Sequence, residues 1–254
     1  MDAPAAAPRR TGTITAGAGF VIALASGIAA LLAGPGTRWG WWDYLTGYFI
    51  LQCAVLGGMA AGAISLYAIV IALRGGRRRA ILFGIHGFII SALVCGVPWY
   101  LVNEGGKLPQ IHDITTDTER PPGFVAVLPL RKDAPNTAAY GGAEIAAQQK
   151  KAYPDLAPAM LALPPRAAFD LALNIARASR WEIVAAVAED GRIEATATTD
   201  WFGFKDDVII RIMPAGSGSR VDMRSVSRIG RSDLGANARR IREFMRLLAA
   251  AKAG

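Results

Sequence analysis

YLTGYFILQCAVLGGMAAGAISLYAIVIAL, residues 44–73, runs for 30 positions without an Asp, Glu, Lys, Arg or His. A helix needs about 20 apolar residues to cross the hydrocarbon core of a bilayer, so this stretch predicts a transmembrane helix. Apolar runs from Thr15 to Ala33 and from Ala80 to Val102 flank it, and three spans are expected. Arg9 and Arg10 precede the first run as they would in an export signal, but its 19 residues exceed the ~7–15 of a signal's apolar core. Thr11, Gly12 and Thr13 also stand where a twin-arginine signal carries apolar residues. The first run is therefore read as an uncleaved helix.

Charge divides the chain at the same place. Of its 254 residues 52% are hydrophobic and 19% charged, against about 25% charged in an average soluble chain, which excludes a disordered polypeptide. Residues 1–102 hold seven arginines and only two acids, Asp2 and Asp43, whereas residues 103–254 hold 21 bases and 18 acids. Two regions follow, a three-helix transmembrane region over 1–102 and a soluble domain over 103–254. The net charge of +8 reflects membrane topology, and no nucleic-acid partner is expected.

Basic residues stay on the cytoplasmic side of a membrane because translocating them is unfavourable. Arg9, Arg10, Arg74, Arg77, Arg78 and Arg79 fall on one side of three spans and Arg38 alone on the other. The expected placement is a multi-pass protein of the bacterial inner membrane with a cytoplasmic N-terminus and a periplasmic C-terminal domain. Trp39, Trp41, Trp42, Tyr44, Trp99 and Tyr100 gather at the outer interface, where amphipathic rings prefer to sit. No acid, lysine or arginine lies within a span, which argues against a transporter or proton relay. Gly58 and Gly62 form a GxxxG pair suited to close packing among the helices. His86 is the one intramembrane histidine; it lacks the second axial ligand a heme would need and is expected to hydrogen-bond between helices.

The soluble half carries no cysteine and one histidine, so neither a disulfide framework nor a multi-histidine metal site is expected, and no cofactor. Its pattern predicts a strand at Gly123–Leu128, helices at Ala138–Lys151 and Pro164–Ala178, and four strands near 182–188, 192–199, 207–213 and 220–229. Glu189-Asp190-Gly191 marks a tight hairpin and 214–219 a looser one. A last helix from about Leu234 to Ala250 is capped by Ser232 or Asp233 and buries Leu234, Ala238, Ile241, Met245 and Leu248. The fold class is a membrane-anchored α+β protein: three transmembrane helices, then an antiparallel sheet packed with helices.

Three segments carry a resemblance. Ile111-His-Asp-Ile-Thr-Thr-Asp117 with Pro121-Pro122, Asp200-Trp-Phe-Gly-Phe-Lys-Asp-Asp207, and Asp222-Met-Arg-Ser-Val-Ser-Arg-Ile-Gly-Arg-Ser-Asp-Leu-Gly-Ala-Asn-Ala-Arg-Arg-Ile241 occur in this order. The soluble half thereby resembles the bacterial family called domain of unknown function 1499. The membrane half is similar to the helical anchors on some members. The resemblance implies a fold and a location, not a reaction.

Polar residues crowd into those segments. Asp113, Thr115, Thr116, Asp117, Lys205, Arg224, Arg228, Ser232, Asp233, Asn237 and Arg240 are the candidate ligand-binding residues. Arg224 and Arg228 share a strand face and offer paired donors to a phosphate or carboxylate, and free N–H groups after Ser232 and Asp233 would join them at a helix start. The competing reading is structural: arginines facing Glu194 and Asp222 form cross-strand ion pairs, and Asp233 is only a cap. His112 is a candidate base, although Asp113 points to the other side of an extended segment and cannot readily orient it. Asp113, Asp117 and Glu119 fit no known calcium loop. Trp201, Phe202 and Phe204 read as a plug under the sheet, or as a lip touching lipid or a partner. The expected partners are the bilayer and an anionic envelope component or a membrane-protein partner. The alternatives are a membrane-anchored periplasmic hydrolase, which requires His112, Asp113 and a serine to converge, and a structural subunit of an envelope complex.

Overall fold

The computed structural model describes residues 8–251; the outer ends of the two expected regions, 1–7 and 252–254, lie outside the described residues. The chain forms two compact units, a helical one ending at Glu104 and a mixed one whose bulk begins at Gly105.

The helical unit comprises α1 (Pro8–Arg38), α2 (Tyr44–Arg74) and α3 (Arg78–Gly106). All three are long and apolar enough to cross a membrane. Asp43 caps α2 by accepting a hydrogen bond from the Thr46 N–H at 2.9 Å. The buried positions of α2 are Gly47, Ala54, Gly58, Ala61, Ser65, Ala68 and Ala72, which from Ala54 onward repeat every three or four residues along one stripe. Large side chains face away: Leu45, Phe49, Leu56, Met59, Leu66, Tyr67 and Leu73 are exposed. Small residues inside and large apolar ones outside reverse the arrangement of a water-soluble bundle, and permit backbones to approach closely. A Cβ at Gly58 would stand 3.0 Å from Val94, and one at Gly62 3.3 Å from Ser91, so the GxxxG pair serves contact with α3.

His86 departs from expectation. Its Nδ1 lies 2.7 Å from the Leu82 carbonyl oxygen one turn earlier on its own helix, and the ring faces outward instead of bridging two helices. The stripe of residues that meets neighbouring helices is taken by Gly84 and Gly87, for which an imidazole is too large.

The mixed unit contains β1 (Asp113–Thr115), α4 (Gly142–Ala152), β2 (Ala159–Leu161), α5 (Pro165–Ala178), β3 (Glu182–Val187), β4 (Arg192–Thr198), β5 (Lys205–Ala215), β6 (Gly218–Ser227) and α6 (Ala236–Ala251). They form an antiparallel six-stranded sheet in the order β1-β6-β5-β4-β3, with β2 also paired to β6. Two compact turns join β3 to β4 and β5 to β6. The second is tighter than expected: Ala215 pairs with Gly218 across a two-residue loop in which Gly216 takes φ +56°, the glycine-first geometry that matches strand twist.

One sheet face is apolar. Ile193, Ala197, Val208, Ile210, Ile212, Val221 and Met223 pack against Phe169, Ala172 and Leu173 of α5 and Ala238, Ile241, Phe244 and Leu248 of α6. The final helix begins two residues later than expected, because Leu234 and Gly235 adopt φ +49° and +76°. Leu234 is consequently half exposed and leaves the buried stripe, and Phe244 occupies it instead. The expected strand at Gly123–Leu128 is absent. Those residues belong to an irregular strap, roughly 116–141, with a short 3-10 turn at Leu128–Arg131, and it crosses the other sheet face. The Val125, Ala126 and Val127 amides bond to a side chain, not to a neighbouring strand. The three-residue strands β1 and β2 are too short to carry an alternation and were not anticipated.

Candidate functional site

The second sheet face carries the charge. Period-two alternation places Arg220, Asp222, Arg224 and Val226 of β6, Asp207, Ile209 and Arg211 of β5, and Glu194 and Thr196 of β4 on the same side. Each buried carboxylate there has arginine, amide or hydroxyl donors. Glu194 is fully buried. It accepts hydrogen bonds from three successive strap amides, Val125, Ala126 and Val127, at 3.0–3.1 Å, and from Arg192. Asp207 accepts from Arg131 at 2.6 Å, from Arg228 at 2.8 and 2.9 Å, and from the Thr196 hydroxyl at 2.8 Å. Asp117 and Asp222 share Arg211 and Arg220, with contacts of 2.8–3.0 Å.

Arg224 is the most enclosed cation. Its Nε and Nη2 donate to the two oxygens of Asp113 at 2.8 and 2.7 Å, a bidentate pair. The remaining donors reach the Pro122 carbonyl at 3.1 Å and the Ala138 carbonyl at 2.8 Å, one at each end of the strap. The Phe124 and Tyr140 rings lie 5.1 and 5.5 Å from the guanidinium carbon. Asn136 adds bonds to the Ser227 and Gly230 carbonyls. Phe124 and Val127 complete the seal against Ile209 and Val226.

Proton affinities follow this pairing. Burial pushes the Asp207 carboxyl up, but hydrogen bonds from Arg228, Thr196 and Arg131 outweigh it and leave it below the usual carboxylate range. Asp117 likewise ends low: burial opposes, and the Arg120 and Glu119 amides with Arg220 and Arg211 prevail. Burial, reinforced by the Asp113 charge, pushes the Tyr140 phenol up to about 12. Asp233 is raised mainly by burial.

The predicted site residues do not converge on one pocket. Asp113, Asp117, Arg224 and Arg228 lie under or beside the strap. Thr116 accepts from the Met223 amide at 2.9 Å, and Thr115 exchanges two backbone bonds with the Gln149 amide group. Lys205 donates to the Thr198 hydroxyl at 2.8 Å. Toward the helix side, Asn237 accepts from Ser225 and donates to Ser227 and the His112 carbonyl, while Arg240 pairs with Asp206 at 2.7 Å. The N–H groups expected to be free at the last helix are occupied: Ser232 accepts from Leu234, and Asp233 from Gly235 and Asn237.

His112 stands 3.5 Å from the Arg231 carbonyl oxygen, and Asp113 is committed to Arg224 on the far side. The convergence a hydrolase requires is not formed. Among the described residues no group of three His, Cys, Asp or Glu side chains could hold a metal ion. Trp201 is 39% exposed with its ring edge-on to Phe202 at 5.0 Å, so the aromatic turn is not a buried plug. A shallow depression of about 340 Å³ beside Asp155, Arg242 and Arg246 involves none of the candidate residues. Sequence reasoning missed Arg131, Asp207, Arg211 and Arg220 as site members. Alternating acids and bases at 207, 211, 220 and 222 were the available signal; nothing local marks Arg131.

Residues 113–248, more than half of the chain, match the family described as Protein of unknown function (DUF1499), and the chain belongs to that family. No curated protein matches it. The three quoted family segments supply Asp113, Asp117, Asp207, Asp222 and Arg224, the groups that fasten the strap.

Proposed function

We propose that this protein is a noncatalytic module of the bacterial inner membrane. Its three helices are anchored in the bilayer with the N-terminus cytoplasmic, and its mixed domain works in the periplasm as a docking platform for a membrane-protein partner. The observation that carries this reading is the internal neutralisation of the family's acids and arginines. Arg224 and Arg228, which an anionic ligand would need, are ion-paired with Asp113 and Asp207, and no imidazole stands beside an activated nucleophile. Those groups instead hold a rigid strap whose outer side presents Val125, Leu128 and Leu130, exposed by 57%, 46% and 52%. Exposed apolar side chains brought together on one surface segment favour a protein contact.

The topology draws support from six arginines against one across the spans, and from the outward-facing large apolar residues of α2. Two experiments test the reading. An alkaline phosphatase fused to the C-terminus should be active, and a fluorescent protein exported there unfolded should be dark; the reverse pair overturns the topology. A photo-crosslinking residue placed at Leu130 in cells should give one discrete adduct, and one at exposed Lys151 should give none. Equal labelling at both positions, or none at Leu130, would remove the docking surface.

A further inference from the structure

A groove on the helical unit is lined by Phe20 of α1 and by Arg79, Leu82, Phe83 and His86 of α3, and encloses about 540 Å³. The four α3 positions fall at i, i+3, i+4 and i+7, one face of the helix. Arg79 lies in the first turn and His86 two turns on, about 10 Å further along the axis at ~1.5 Å per residue. Between them Phe20 and Phe83 meet with ring centres 5.6 Å apart. The groove therefore has one cationic end and an aromatic and aliphatic floor.

Among the described residues that cationic end has no acid of its own. Between residues 3 and 103 the only acid is Asp43, and it caps the opposite end of α2 from Arg74. About 46 Å of helix separates the two ends at ~1.5 Å per residue, beyond the ~8 Å screening length of physiological salt. Arg74, Arg78 and Arg79 are exposed in the same short link. The first turn of α3 contains no acid either, so its partly positive N-terminal end adds to the arginines. None of the described residues supplies a counter-charge here, and a bilayer offers lipid phosphates at this level.

We propose that the groove binds one phosphate-headgroup lipid, with the phosphate on Arg79 and the chain laid along Phe20, Leu82 and Phe83 toward His86. The shared chemistry is an anionic phosphate ester on a long apolar chain, supplied by an anionic glycerophospholipid or by a polyprenyl phosphate. The His86 Nδ1 faces the Leu82 carbonyl oxygen, which can only accept, so Nδ1 carries the proton. Its ring lines the end of the groove away from Arg79.

This inference rests on the reading that α1–α3 lie in a bilayer, so that reading is checked first: the full chain must stay with the membrane fraction after an alkaline carbonate wash. Native mass spectrometry of the full chain in mild detergent then follows the retention of added phosphatidylglycerol, polyprenyl phosphate and phosphatidylcholine. Both anionic lipids, or one of them, should be retained as a single copy in preference to phosphatidylcholine; whichever is held more strongly identifies the source. Arg79→Gln should weaken retention about fivefold, from ~1 kcal/mol per basic residue near a lipid surface. Arg78→Gln, outside the groove, should leave it nearly unchanged. Equal retention of phosphatidylcholine, or equal losses for the two variants, would show only a diffuse interfacial attraction and overturn the site. A chain released by carbonate would instead refute the membrane reading.

Discussion

Replacing Arg224 by Gln is expected to remove about 4 kcal/mol of stability from the mixed domain. Arg224 is 3% exposed and is the partner of Asp113, itself buried. The glutamine withdraws the charge and both bidentate donors, stranding a buried carboxylate, and breaking one side of a buried pair costs about 3–5 kcal/mol. The Pro122 and Ala138 carbonyls also lose their donors. The Pro122 contact is buried and the Ala138 contact half-buried, so the cost lies inside that range and not at its lower edge. For a domain of this size 1 kcal/mol moves the melting temperature by about 2–4 °C, and a fall of roughly 8–16 °C is predicted. Arg228→Gln should cost far less, about 1 kcal/mol, because Asp207 keeps Arg131 and Thr196. The double variant Asp113→Leu/Arg224→Met should recover most of the loss, since replacing both partners by apolar groups of similar volume is often nearly neutral. Urea and thermal unfolding of residues 103–254 measure all four proteins. A melting temperature unchanged by Arg224→Gln, or a double variant no better than the single ones, would refute a structural role for the pair.

Acid should loosen the strap. Asp207 and Asp117 have folded-state affinities for protons below the ordinary carboxylate value, so their contribution is complete above about pH 4 and disappears as pH falls through the lower, folded values. Stability measured against pH should drop in that window, and Asp207→Asn should flatten the drop; a profile that Asp207→Asn leaves unaltered contradicts this. Tyr140 has a buried hydroxyl with no hydrogen-bond partner among the described residues and titrates near 12. Tyr140→Phe should therefore leave stability equal or raised by up to about 1 kcal/mol, and remove the late phase from an ultraviolet tyrosine titration. A loss above 1 kcal/mol would reveal a missed partner. In the helical unit, Gly58→Val should disrupt contact with α3, because even a Cβ there approaches Val94 to 3.0 Å. Thermal stability of the detergent-solubilised chain should fall clearly below that of Ala60→Val, whose position is exposed.

Local pattern alone determined much of this protein. Unbroken apolar runs of bilayer length specified α1–α3, because a helix satisfies its own backbone and needs only a continuous apolar surface. Alternation specified β3–β6, and the Ser232-Asp233 cap signal placed the start of α6 to within a few residues. Those features depend on neighbours one to four positions away. Only the tertiary structure decided what the charged residues do. Arg224 and Asp113 are 111 positions apart, and Glu194 binds amides 67–69 positions before it. No spacing rule connects such groups; they meet because antiparallel registry brings β1, β4, β5 and β6 onto one face and the strap closes over it. The same long-range pairing turned Gly123–Leu128 from an expected strand into part of a cover. Their backbone donors found a buried carboxylate, and a carboxylate sealed in the interior binds amide donors more strongly than a neighbouring strand's neutral carbonyls do.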